Sequence, residues 1–438
     1  MKSFLFKFYI KIISFLYKAV YKEELSDSVL DFLKNLSYVG FGTIVSIIFT
    51  FTFNILAGRL LGPSGYGEFS LVQSIATFLA VPMFFGINYS MLKYNSEKED
   101  FKRQQKIIST AYILIFIFAT ISIFFYYLLS SQISQVFSVS TGVFYLSILF
   151  ATIFVFYTLL TSTLASIHAM KKFALFRLVY SIILLSAFFI FIFINFISSQ
   201  SMIFSVCITY GITGGIILAY LRKFVKLKFD KTWASKLTRY GSYALLGGVS
   251  SAFYSNIDKI LINKYMNTAN IGIYWAYSYS FTMALLTILS VFEIVFFPLA
   301  SKFANKVIIF KKINRLIPFI IIISLPFMIG SGFVILKLYG SEYPFDLKLG
   351  VLFWIVGIFV TIDKFYGLLM NSTGTKGKRI VSFAAVVLAL SNVFLNIWLI
   401  PLMGIEGAVI AAIFSYLLSI IIVISKRKYI YNPEVIVS

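Results

Sequence analysis

Asp258-Lys259, Glu293 and Asp363-Lys364 are ionisable residues set inside strongly apolar stretches of this 438-residue chain. A charged side chain facing hydrocarbon costs at least about 2.5–3.5 kcal/mol, so such groups normally turn toward a bundle interior or a wet cavity. Adjacent helical residues diverge by about 100°. Asp258 and Lys259 therefore cannot simply pair with each other, and each needs partners on other helices. Two chemistries suit the set: structural ion pairing between helices, or contact with a charged substrate and a coupling ion. Arg59 and Lys264 stand at the ends of apolar stretches. There they either snorkel to headgroups or form a pair of cations at a cavity mouth that meets an anionic substrate.

A second set lies beside the opposite ends of the apolar stretches. His168, the single histidine, stands near Lys171, Lys172 and Arg177, and the second half of the chain places Lys376, Lys378 and Arg379 similarly. These cations suit topology determinants and also an electropositive vestibule for a diphosphate headgroup. A histidine there reads as a surface residue or, less simply, as a proton relay. The sequence has no Walker A loop, no His/Glu metalloprotease pattern, no GxSxG and no Asp-x-Asp in a loop. Catalytic residues, metal ligands and cofactors are accordingly not assigned. Cys207 is the only cysteine, which excludes an internal disulfide and a cysteine metal cluster.

These residues need helices to hold them. Hydrophobic residues make up 60% of the chain, and the mean hydropathy is +0.93; both exclude an ordinary soluble protein. A span needs about 20 apolar residues. About 12 stretches meet that length, at 37–60, 69–91, 107–129, 142–166, 174–197, 202–221, 240–262, 273–300, 315–338, 350–370, 380–402 and 404–424. Of the 38 Lys/Arg, only Arg59, Lys259, Lys264, Lys337, Lys348 and Lys364 fall away from the N-terminal side of this arrangement. That is the positive-inside pattern, and it places both ends in the cytoplasm. The net charge of +22 follows topology and anionic lipid, not nucleic acid. Lys7, Lys11, Lys18 and Lys22 share one helical face, so residues 1–35 read as an amphipathic helix on the cytoplasmic leaflet and not as a cleaved signal. The expected organisation continues with a bundle at 36–221, a basic cytoplasmic linker at 222–239, a second bundle at 240–425 and a tail at 426–438.

A shift of 205 residues aligns the two bundles: Gly42 meets Gly247, Arg59 meets Lys264, Gly67 meets Gly272, Lys106 meets Lys311 and Lys171 meets Lys376. Six spans per half is an even number, so the halves are parallel repeats about an axis along the membrane normal. The expected fold class is an all-α polytopic membrane protein. Two six-helix bundles enclose a central cavity and rock to give alternating access.

Three motifs then resemble one known family. Gly58-Arg59-Leu60-Leu61-Gly62-Pro63 through Tyr66-Gly67 looks like the end of the first span in polysaccharide flippases, in the multidrug/oligosaccharidyl-lipid/polysaccharide exporter superfamily. Locally, Gly62 reads as a left-handed cap and Pro63 as a stop. Asp258 through Ile262, followed by Ile271-Gly272-Ile273-Tyr274, resembles the seventh span and its turn. Asn396 through Ala408 resembles the hairpin joining the last two spans.

The resemblance implies translocation of a polyprenyl-(di)phosphate-linked oligosaccharide from the cytoplasmic to the outer leaflet. Arg59, Lys259, Lys264 and Lys364 would then offset phosphate charge. Asp258, Glu293 and Asp363 would temper the cavity or bind H⁺ or Na⁺. It also implies the cell membrane of a prokaryote, membrane lipids as surroundings, and a glycan polymerase or glycosyltransferase as partner. The alternatives are a cation-coupled drug exporter, a peptidoglycan lipid precursor flippase, a membrane-embedded sugar transferase, and a scaffold whose charges serve packing alone.

Overall fold

The computed structural model describes residues 27–226, 228–283, 285–286, 306–427 and 430, with side chains described from residue 45 onward. Among these residues the architecture is helical throughout. In chain order the helices are α1 (Asp27–Phe84), α2 (Ile87–Ser96), α3 (Phe101–Leu128), α4 (Ser130–Val136), α5 (Thr141–Ser166), α6 (Met170–Phe193) and α7 (Ser199–Leu221). There follow α8 (Lys231–Tyr265), α9 (Thr268–Tyr277), a π-helical turn (Ser278–Met283), α10 (Lys306–Tyr339), α11 (Leu347–Asn371) and α12 (Thr375–Ser425). Two of these are double spans. α1 breaks at Gly62, with φ 65° and ψ 177°, and α12 breaks at Gly404, with φ 58°. Glycine has no Cβ to oppose a positive φ.

The expected stop at Gly62 is a kink instead. Gly62 takes the positive φ, but Pro63 opens the next segment. Its fixed φ and missing N–H suit a first helical position.

The repeat is written in the helix boundaries. Adding 205 to the start of α6 gives Thr375, where α12 begins. The end of α5 maps in the same way to Asn371, the end of α11. The break at Gly62 falls opposite Asn267, between α8 and α9. The offset thus holds well beyond the paired residues that first revealed it.

Side-chain caps fix these starts. Asp100, Asp230 and Asp346 each accept from two backbone N–H groups at the beginning of α3, α8 and α11. Ser140 and Ser198 do the same work for α5 and α7. With its cap at Asp230, α8 begins at Lys231, so residues 231–239 of the expected linker are helical. The segment before α8 is pinned to α3. Ser109 and Thr110 accept from the backbone of Lys226 and Asp230, and Lys106 Nζ lies 3.7 Å from Asp230. Asp230→Ala should lower stability by about 1 kcal/mol, the usual cost of a lost N-cap, measurable as a lower thermal midpoint in detergent. The cationic face of residues 1–26 lies outside the described residues. The expected boundary at 35 falls inside continuous α1.

One hydrophobic core joins both halves, running from Phe53, Tyr66 and Phe69 to Tyr277, Phe281 and Tyr339. A second, around Phe310, Phe365 and Leu369, lies within the second half. Many large apolar side chains, Phe116, Phe193 and Ile322 among them, stay exposed on the outside of the bundles. That surface suits lipid rather than water.

Candidate functional site

Within the second half, Lys348 on α11 pairs with Glu406 on α12 at 2.5 Å, whereas Asp258, Lys259 and Asp363 are held by uncharged groups. Asp258 on α8 accepts the phenol proton of Tyr274 on α9. Asp363 on α11 accepts from Ser419 on α12 at 2.6 Å. Neither carboxylate forms an ion pair among the described residues. Lys259 is 4% exposed. Its ammonium donates to Asn256 Oδ1 at 3.2 Å and lies 4.3 Å above the ring of Trp275. Trp275 Nε1 is itself buried with no acceptor. A cation and an indole N–H are therefore buried side by side, with the carboxylate of Asp258 near enough to act on the ammonium electrostatically but no ion pair formed among the described residues. At Asp258, Asp363 and Lys259 the contacts are hydroxyl–carboxylate bonds and a cation–π contact in place of ion pairs between helices.

A cleft of about 160 Å³ opens between the halves. It is lined from the first half by Thr77, Phe84, Tyr89 and Phe154, and from α8 by Leu245, Gly248 and Ala252. Leu245, Gly248, Ala252, Asn256 and Lys259 follow one another at three- and four-residue spacing, which is one face of a helix. Lys259 thus continues the stripe that lines the cleft, toward the end of the bundle away from the basic loops.

That far end is closed by backbone. A Cβ on Gly67 would lie 1.9 Å from the carbonyl oxygen of Thr268, and one on Gly272 would lie 2.0 Å from that of Pro63. A Cβ on Gly58 would meet the ring of Tyr339 at 2.4 Å. The Tyr66 hydroxyl donates to Asn54 and meets the hydroxyl of Tyr339 at 3.1 Å. Tyr343 donates to the carbonyl of Gly58 at 2.9 Å. Asn54 also reaches Tyr279 in the π-helical turn, at 3.0 Å. At the basic end, Gly86 and Gly241 make a second backbone crossing, with 2.2 Å from a Gly86 Cβ to the Gly241 oxygen. Tyr240 sits beside it, under the ammonium of Lys93 and bonded to Lys378.

The remaining expected residues are scattered. Arg59 and Lys264 are exposed at the far end, and neither forms an ion pair among the described residues. Lys264 leans over Tyr265. Lys364 is half-buried and engaged. Glu293 lies outside the described residues. His168 holds a left-handed turn between α5 and α6, its Nε2 3.4 Å from the Ser96 oxygen. Lys171 and Lys172 are exposed, Lys172 over Tyr220, and Lys376 is half-buried and engaged. Sequence reasoning missed Tyr66, Asn54, Tyr339 and Tyr343 as one closure. Tyr66 stands inside the glycine motif and was the available signal.

No curated protein matches the chain. The family described as polysaccharide biosynthesis protein matches residues 55–344. Among solved structures, a multidrug resistance MATE family transporter of the MOP superfamily in an inward-facing conformation is similar with a TM-score of 0.67 at 12% identity, covering 90% of this chain and 96% of that one. Its outward-facing counterpart gives 0.61 at 13%, covering 94% and 100%. A MOP superfamily transporter from Pyrococcus furiosus, described as having a binding pocket of reverse polarity that suggests a different function, gives the same values. The chain therefore belongs to the polysaccharide biosynthesis protein family, as a multi-pass membrane protein with the two-bundle fold of MOP superfamily transporters.

Proposed function

We propose that the protein moves a polyprenyl-(di)phosphate-linked oligosaccharide from the cytoplasmic to the outer leaflet of a prokaryotic cell membrane by alternating access. The basic end faces the cytoplasm in this reading, and the far end is the outer gate, closed in the present conformation. The observation that carries it is Lys259: a buried ammonium on the cleft-lining face of α8, next to an unsatisfied indole N–H, that forms no ion pair among the described residues. Such a site favours anionic cargo and disfavours the cationic drugs of the alternative reading. The polar glycan travels through the cleft while the lipid tail stays in the bilayer. Asp258 and Asp363, each bound to one hydroxyl, are the candidates for a proton or sodium ion that drives return.

The test is a flipping assay in proteoliposomes. A fluorescent polyprenyl-diphosphate sugar is placed in both leaflets, and an impermeant reductant is added outside. Wild type should expose the inner-leaflet probe. Asp258→Asn keeps an acceptor for Tyr274, so it should fold normally yet lose most of the acceleration given by an ion gradient. Arg59→Ala should slow transfer more mildly, since Arg59 is exposed. A wild-type protein that moves cationic dyes but no lipid-linked sugar, whatever the glycan, would sink the reading.

A further inference from the structure

Arg177 is a half-buried cation of the first half. It lies on α6, seven residues after its start at Met170, and its guanidinium makes no ion pair or hydrogen bond among the described residues. Only its backbone is used: its carbonyl accepts from Ser46 on α1 at 3.2 Å. The side chain lines a pocket of about 280 Å³ together with Tyr157, Thr161, Phe173, Tyr180 and Tyr210, drawn from α5, α6 and α7. The three tyrosines form a layered shelf. Tyr157 and Tyr210 stack at 4.6 Å with 27° between planes, and Tyr180 stacks on Tyr210 at 5.5 Å. No carboxylate lines the pocket.

The pocket adjoins the cleft between the halves. Phe154, which lines that cleft, packs on Tyr210 with ring centroids 6.1 Å apart. One aromatic layer therefore separates the two spaces.

We propose that Arg177 and the shelf of Tyr157, Tyr180 and Tyr210 form a binding subsite for a glycosyl phosphate, with the phosphate on the guanidinium and the adjoining sugar ring on the phenol faces. An unpaired arginine inside a bundle is costly unless an anion or water meets it, and its planar fork of donors matches phosphate oxygens two at a time. A phenol offers an apolar face and a hydroxyl edge, which complements a sugar with an apolar C–H face and a hydroxyl rim. The volume falls just below the roughly 300–1,000 Å³ of small-molecule sites. It fits a phosphate and one sugar unit, not a whole oligosaccharide. The rest of the glycan would extend into the cleft. Identifying the ligand as a lipid headgroup rests on the flippase reading; the anion subsite does not.

The test measures binding to the purified full chain in nanodiscs, with farnesyl diphosphate, α-glucose 1-phosphate and methyl α-glucoside as probes. Arg177→Gln should weaken farnesyl diphosphate or glucose 1-phosphate by about tenfold or more, as expected for a charge-assisted bond, with Arg177→Lys in between. Tyr210→Leu should weaken glucose 1-phosphate more than Tyr210→Phe does. An unchanged thermal midpoint certifies the fold of each variant. Arg177-dependent binding of farnesyl diphosphate assigns the site to a lipid headgroup. Arg177-dependent binding of glucose 1-phosphate alone assigns it to a soluble sugar phosphate. Failure of wild type to bind either anion, or equal affinity of wild type and Arg177→Gln, overturns the subsite. Flipping is followed on the same variants. A wild-type flipping rate in Arg177→Gln overturns the assignment of the subsite to the flipped headgroup and leaves the flippase reading standing. Arg177-dependent binding in a protein that flips nothing keeps the subsite and removes the flippase reading.

Discussion

Gly272→Val should hold the outer gate open and reduce transport at least about a hundredfold, the equivalent of 2.7 kcal/mol or more. The reason is geometric. A Cβ at this position would meet the Pro63 carbonyl oxygen at 2.0 Å, and Gly67 on the other side of the crossing meets Thr268 at 1.9 Å. Both obstacles are backbone, so no side chain can rotate away. Overpacking of a rigid contact typically costs about 1–3 kcal/mol, and parting the two halves is the direct way to relieve it. Gly272→Ala should show a smaller form of the same defect.

Accessibility separates gating from misfolding. In a Cys207→Ser background, Ala57→Cys places a small thiol at a fully buried position beneath the closure. An impermeant maleimide added from outside should label it much faster once Gly272→Val is also present. A protein that keeps both normal transport and a protected thiol with valine at 272 would show that this crossing is no gate.

Lys259→Met should abolish most transport while leaving the fold within about 1 kcal/mol of wild type. A buried ammonium carries a desolvation cost of several kcal/mol. Its cation–π contact with Trp275 returns up to about 2 kcal/mol, and the bond to Asn256 returns about 1.5–3 kcal/mol. These contributions nearly cancel, so methionine, similar in length and apolar, should be tolerated. A lysine retained for structure would behave differently: its loss would lower stability by about 3–5 kcal/mol, as when a buried charge partner is removed. Thermal unfolding and flipping, measured on the same preparation, distinguish the two. Reduced stability with full residual activity per folded molecule would assign Lys259 to packing.

The span pattern was legible because it rests on local chemistry. Hydrophobic length, the basic loops and the 205-residue offset are all carried by residue type and spacing. So was the break at Gly62, although not its outcome: a helix that stops and one that kinks share the same glycine and proline, and only the neighbouring helices decide between them. Gly67 and Gly272 were visible as an aligned pair, yet their reason was not. It lies in the carbonyls of Thr268 and Pro63, and a backbone contact leaves no mark on the residue that supplies it. The second-half acids were found by their burial cost, but hydroxyl partners such as Tyr274 and Ser419 look like ordinary span residues. Arg177 was grouped with Lys171 and Lys172 because proximity in sequence hides the difference between a solvated cation and an isolated one.

The two glycine crossings have a mechanical consequence. Gly67 and Gly86 bracket the second segment of α1, and each touches the other half through backbone. At 1.5 Å per residue the stretch from Gly67 to Gly86 is roughly 28 Å long, close to the roughly 30 Å thickness of the hydrocarbon. It is a beam seated at both membrane surfaces. A stiff beam that lifts off one seat must pivot on the other, so release at one surface loads the contact at the opposite one. In the proposed alternating-access cycle, simultaneous opening, which would let solutes leak through, is then prevented by the rigidity of a single helix, without a signal relayed through side chains.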